Sequence, residues 1–106
     1  MLDKGIDIAK NIRLIEWLKS EMLTSMAELF RLLTNGIKGS QDILIDCLAN
    51  IVIVSYLLGK RLGIHYAVID ERIGKKIRLG IIEGHEVEKN YGDLSELGDH
   101  IKQTRE

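Results

Sequence analysis

Ile43 to Leu62 reads ILIDCLANIVIVSYLLGKRL, and this stretch decides the fold. It is apolar on nearly every side of a helix, yet Asp46, Asn50 and Ser55 lie inside it. Its central Ile51-Val52-Ile53-Val54 alone would suit a strand, but the apolar run around it is about twice a strand's usual length and contains no turn signal. A helix is therefore expected. A helix that is hydrophobic all round has to be buried all round. In a chain of 106 residues that predicts packing against a second copy as well as its own neighbours. A membrane span is the other reading of such a stretch. The run is shorter than the roughly 20 apolar residues a bilayer needs, and it carries Asp46 and Asn50. A core helix without membrane contact is the expectation.

The rest of the composition suits one globular domain over 1–106. Apolar residues make up 45% and charged residues 29%, with a net charge of −1, so no global field draws in nucleic acid. A basic stretch, Lys60 to Arg78, precedes an acidic extension over 84–106. Cys47 is the single cysteine and has no internal disulfide partner, which fits a reducing, cytoplasmic compartment. Met1 to Lys10 is not read as a signal peptide, since Asp3 and Asp7 interrupt it.

Upstream of the central stretch, Ile15, Leu18, Met22, Met26, Leu29 and Leu33 recur every three or four residues, with Leu23, Ala27 and Phe30 beside them. This predicts a helix from about Ile8 to Thr34, with a candidate break at Lys19-Ser20. Glycine punctuates the chain in place of the absent proline. Gly36 and Gly39 flank a break. Ser40 is the expected N-cap of the second helix and Gly63 its C-cap, with Lys60 and Arg61 in the last turn. A third helix is predicted over Tyr66 to Glu83, with the stripe Val68, Ile69, Ile73, Ile77 and Ile81. A short fourth begins at Asp93, paired with Glu96 in a capping box. The fold class is all-α: a helical hairpin, a third helix and a short fourth.

Several chemistries lack their residues. Gly74-Lys75-Lys76 has neither the first glycine nor the Ser/Thr of a phosphate loop. One cysteine and the scattered His65, His85 and His100 give no zinc spacing. Cys47 among Leu and Ile reads as an inert core thiol. Trp17 reads as a core or interface anchor.

What remains is a constellation on the hairpin. A short connection packs the first two helices antiparallel, and residues three apart share a face. Ser25 and Glu28 then look across at Cys47 and Asn50. With Leu62-Gly63-Ile64 closing the second helix, this layout resembles the MazG-like nucleotide pyrophosphohydrolases, an all-α family carrying E-x-x-E on one helix and E-x-x-D on the next. The resemblance is strongest over 15–78. It places Ser25-Met26-Ala27-Glu28 on the first motif and Cys47-Leu48-Ala49-Asn50 on the second.

The resemblance implies a helical bundle completed by oligomerisation, as a dimer or tetramer. It also implies Mg²⁺-dependent cleavage of a nucleoside triphosphate to the monophosphate and pyrophosphate. Carboxylates would cage the metal, which holds the polyphosphate and activates water. Basic residues after the metal helices would help hold phosphate, and Lys75, Lys76 and Arg78 stand there. Of the four ligand slots only Glu28 is a carboxylate. A Mg²⁺ site would have to be assembled from Glu28, Asp46 and Asn50, with Glu21 as a further donor. Two readings follow. One is a pyrophosphohydrolase with a weakened or lost metal site. The alternative is a non-catalytic oligomeric module binding a nucleotide or a protein partner. In that second reading Asp46 and Asn50 join a polar network that fixes register, and Glu28 pairs with Arg31 or with a basic residue of another helix.

Overall fold

The computed structural model describes residues 4–34 and 41–105, the side chains of 4–6 and 105 excepted. The described residues form five helices and no strand: α1 (Lys4–Thr34), α2 (Gln41–Arg61), α3 (Tyr66–Ile82), α4 (Glu86–Tyr91) and α5 (Asp93–Arg105). The chain is all-α, as its periodicity predicts. It divides into two compact units, one ending at Tyr66 and one beginning at Ala67. The Gly36–Gly39 break and the Ser40 cap lie outside the described residues.

In the first unit α1 and α2 pack against each other. The α1 residues withdrawn from solvent include the row Asn11, Ile15, Leu18, Met22, Ser25, Leu29 and Leu32, at alternating steps of four and three. Those of α2 include Leu44, Cys47, Ile51, Val54, Leu58 and Arg61, again at steps of three and four. This heptad spacing is that of knobs-into-holes packing. Leu18, Leu32 and Val54 are its most buried members. Each fully buried aliphatic side chain contributes about 1.5–3 kcal/mol.

Two polar contacts set the register and show that the helices run antiparallel. At one end Asn11 Nδ2 donates to the Arg61 carbonyl at 3.0 Å, and Arg61 Nη1 donates to Asn11 Oδ1 at 3.2 Å. The Asn11 amide thereby satisfies a carbonyl that the end of α2 leaves without a helical partner. In mid-hairpin Asn50 Nδ2 donates to Ser25 Oγ at 2.6 Å.

The seam corrects the sequence reading of α1 in two ways. The helix runs unbroken through Lys19-Ser20. The core row takes Ser25 and Leu32, leaving Met26 and Leu33 exposed. A 3.5-residue repeat, not the drifting row of bulkier side chains, keeps facing the partner helix. The row Leu23, Ala27 and Phe30 is exposed, as is Trp17, which is no core anchor.

α2 is buried along one seam and not all round. By length and composition it is long and apolar enough to cross a bilayer. Its C-terminus closes as expected at Gly63, which has φ 86°. Gly63 N–H donates to Lys60 O at 3.1 Å and Ile64 N–H to Gly59 O at 2.8 Å, the paired bonds of a Schellman cap. Beyond the cap, the Tyr66 ring meets Tyr56 edge-on, with centroids 6.0 Å apart, and Lys60 Nζ lies 5.9 Å from its centroid.

In the second unit α3 ends in the same kind of cap at Gly84, where His85 N–H donates to Gly80 O at 2.8 Å. The α3 stripe is withdrawn from solvent at Ile69, Ile73, Ile77 and Ile81, whereas Val68 is exposed. α5 comes close to α3. A Cβ on Gly80 would lie 2.6 Å from Leu94 Cδ1, and one on Gly98 would lie 3.4 Å from Ile77 Cγ2.

Two features depart from the sequence reading. His85 is the N-cap of the extra helix α4, its Nδ1 accepting from Val87 N–H at 3.2 Å. Asp93 is the first residue of α5 and not its cap. The first-turn Ser95 N–H and hydroxyl are both taken by the Glu88 carboxylate of α4. Those two bonds hold the Glu88 carboxyl below its ordinary range, the hydroxyl contributing most.

Candidate functional site

The pairing of α1 with α2 leaves an open cleft of about 530 Å³ on one side of the hairpin. Glu21, Thr24, Ser25 and Glu28 line it from α1, and Ile43, Asp46, Cys47, Ala49, Asn50 and Ile53 from α2. All four positions of the two expected motifs are there, with Asp46 and Glu21 beside them. The i, i+3 spacing on each helix turns both motif residues toward one flank of the seam.

The chemistry within this cleft is mostly neutral. Ser25 is 7% exposed and Cys47 8% exposed, so both are core residues first. Cys47 is a buried free thiol. Asn50 spends its amide N–H on Ser25 Oγ, across the helix pair. Glu28 is gripped by Arg31, one turn on, through Nη2–Oε1 at 2.6 Å and Nε–Oε2 at 3.0 Å. The Arg31 guanidinium hydrogen-bonded to it holds the Glu28 carboxyl below its ordinary range, and Glu28 raises Arg31 in turn. Asp46 is exposed, and Glu21 is half-buried.

Mg²⁺ takes near-octahedral oxygen ligands and is held in proteins by one or two carboxylates together with waters and substrate phosphates. The four motif positions here supply one carboxylate, one amide, one hydroxyl and one thiol. The carboxylate already has a cation in Arg31, and the amide and hydroxyl are bonded to each other. Among the described residues no three His, Cys, Asp or Glu side chains are grouped to hold a metal ion. The four motif positions by themselves do not fit Mg²⁺; Glu21 and Asp46 add two carboxylates to the same cleft.

Lys75, Lys76 and Arg78 belong to the second unit. Lys75 and Arg78 line a small cavity of about 200 Å³ with Val68, Glu71 and Arg72. Lys76 is directed elsewhere, into a depression with Ile73, Leu79 and His85. Sequence reasoning missed Arg72, though its i, i+3, i+6 spacing to Lys75 and Arg78 is plain once α3 is drawn as a helix. It also missed the Asn11–Arg61 clasp, whose partners stand 50 residues apart.

With this geometry in view, the comparison with known proteins is direct. The MazG-like family profile matches residues 8–94, which takes in both hairpin helices, α3 and α4. The chain belongs to the MazG-like family. The family is related by fold to nucleotide pyrophosphohydrolases and is typically Mg²⁺-dependent. No curated protein and no solved structure matches the chain.

Proposed function

We propose that this chain is a MazG-like protein whose Mg²⁺-dependent pyrophosphohydrolase centre has been lost, and that it works as a cytoplasmic helical binding module. One observation carries the reading. Where the family sets acidic motifs on two facing helices, Ser25 and Asn50 close on each other in a direct hydrogen bond. A metal ion bridging carboxylates cross-links two helices by charge; here a neutral bond does so. Arg31 supplies an internal cation for Glu28, the one carboxylate left at a motif position. With a single carboxylate at the four motif positions, the cleft lacks the acidic cage by which the family would hold a metal ion for phosphoryl chemistry.

The test is pyrophosphate release from a panel of purine and pyrimidine triphosphates at millimolar Mg²⁺ and, separately, Mn²⁺. The expected result is no release above buffer, and no difference between the wild type and Glu28→Ala. Turnover that Glu28→Ala abolishes would overturn the proposal and reinstate the enzyme.

A further inference from the structure

α3 carries a second seam that its own unit leaves open. Its Ile69, Ile73, Ile77 and Ile81 are withdrawn from solvent. On the opposite face Val68, Arg72, Lys75, Leu79 and Ile82 follow one another at steps of four and three, the spacing by which one helix engages another along its length. All five are exposed, Ile82 to 79%. Arg72 and Lys75 hold the middle of the seam, with Val68 at one end and Leu79 and Ile82 at the other. At 100° per residue Arg78 flanks it on one side and Lys76 on the other. Glu71 and Glu83 stand toward the two ends, so positive charge is confined to the middle. Among the described residues none of the four cations has an ion-pair partner, although Glu71 lines the same cavity of about 200 Å³ as Arg72, Lys75 and Arg78.

We propose that this seam docks a helix of a different protein, one aliphatic at both ends and carrying Asp or Glu in its middle turns. Two observations select that partner. The first is the shape of the cavity. Val68, Glu71, Arg72 and Lys75 stand at i, i+3, i+4 and i+7, the four-residue hole that receives a knob from a facing helix, and they already surround an open space. The second is the order of charge. An apolar helix laid along the seam would bury Arg72 and Lys75 without a counter-charge, which opposes association. A carboxylate knob entering the hole instead meets Arg72, Lys75 and Arg78, and a guanidinium takes a carboxylate through two parallel hydrogen bonds. Anionic lipid is the poorer match, because a helix lying on a bilayer keeps its cations on the polar face, whereas here Arg72 and Lys75 stand within the aliphatic seam. Nucleic acid is poorer too, since the chain has a net charge of −1 and the seam has no aromatic ring to stack a base. Such a partner deepens the binding-module reading, on which it rests, at a surface outside the hairpin cleft.

The probe is a fluorescein-labelled synthetic helix of about three heptads, with Leu at its outer seam positions and Glu at the central seam and flanking positions. A control peptide has Gln in place of every Glu. Fluorescence anisotropy against the 106-residue chain should show saturable binding of the Glu peptide that weakens with added salt, and binding of the Gln peptide at least about tenfold weaker. Arg72→Glu/Lys75→Glu should abolish binding of the Glu peptide with the helical circular dichroism retained. Should that variant unfold, Arg72→Gln, a neutral change at an exposed position, should still weaken the Glu peptide and leave the Gln peptide unaffected. No saturable binding, equal binding of the two peptides, or binding indifferent to these substitutions would overturn the proposal. So would loss, in Arg72→Glu/Lys75→Glu, of flotation with phosphatidylglycerol vesicles, of RNA binding, or of self-association seen by light scattering, each of which would assign the seam to another occupant. Pyrophosphate release is read separately, so a peptide that fails to bind and a cleft that turns over triphosphate are distinct results.

Discussion

Asn50 shows how one side chain joins fold and chemistry. A half-buried amide on an apolar helix costs stability unless it is bonded, and Ser25 Oγ supplies the acceptor. Removing either partner leaves the other short of a bond. Ser25→Ala and Asn50→Ala should each destabilise the hairpin by about 1–2 kcal/mol. The double variant Ser25→Ala/Asn50→Ala, which removes both polar groups, should cost less than the sum of the two single effects. Urea melts of the three proteins measure this; strict additivity would mean that the bond contributes nothing. The pairing was half legible in the sequence. The i, i+3 spacing set Ser25 and Glu28 opposite Cys47 and Asn50. It did not tell a hydrogen bond between the helices from a network within α2 joining Asp46 to Asn50, because Asp46 and Asn50 also stand one turn apart. Asp46 proves to be exposed, and the partner lies on the other helix.

At the scale of the elements, the caps decide what could be read in advance. Gly63 is preceded by Lys60 and Arg61 and followed by an apolar residue, so the end of α2 was predictable. The start of α4 was not, since His85 caps through its ring nitrogen and is not one of the usual hydroxyl or carboxyl caps. The junction of α4 with α5 was misread for a related reason. Asp93 and Glu96 have capping-box spacing, but Glu88 reaches the Ser95 N–H and hydroxyl from the preceding helix. That contact has a pH signature. Because the folded Glu88 carboxyl is depressed from its ordinary value near 4.5, the contact stabilises the protein above that value. The contribution is lost as pH falls through the lower, folded value. Glu88→Gln should therefore lower the melting temperature at neutral pH and shrink the loss between pH 4.5 and the acid limb. Parallel curves for wild type and variant would show that Ser95 does not depend on the carboxylate.

For the whole molecule, the apolar Ile43–Leu62 stretch has a different meaning in the structure from the one its sequence suggests. All-round hydrophobicity implied all-round burial, yet the hairpin buries only the seam through Cys47, Val54 and Leu58. A hydropathy pattern reports that a surface avoids water. It does not say whether the cover comes from the same chain. Membership of the MazG-like family was legible because the motif spacing and the Leu62-Gly63-Ile64 turn survive where the carboxylates do not. What those substitutions leave behind, a neutral clasp at Ser25 and Asn50 and an Arg31-bound Glu28, needed coordinates. The claim that this chain has exchanged metal for a hydrogen bond is tested most directly by calorimetric titration of the 106-residue chain with Mn²⁺. The account predicts no saturable heat up to millimolar ion. A saturable site that Glu28→Ala removes would contradict it.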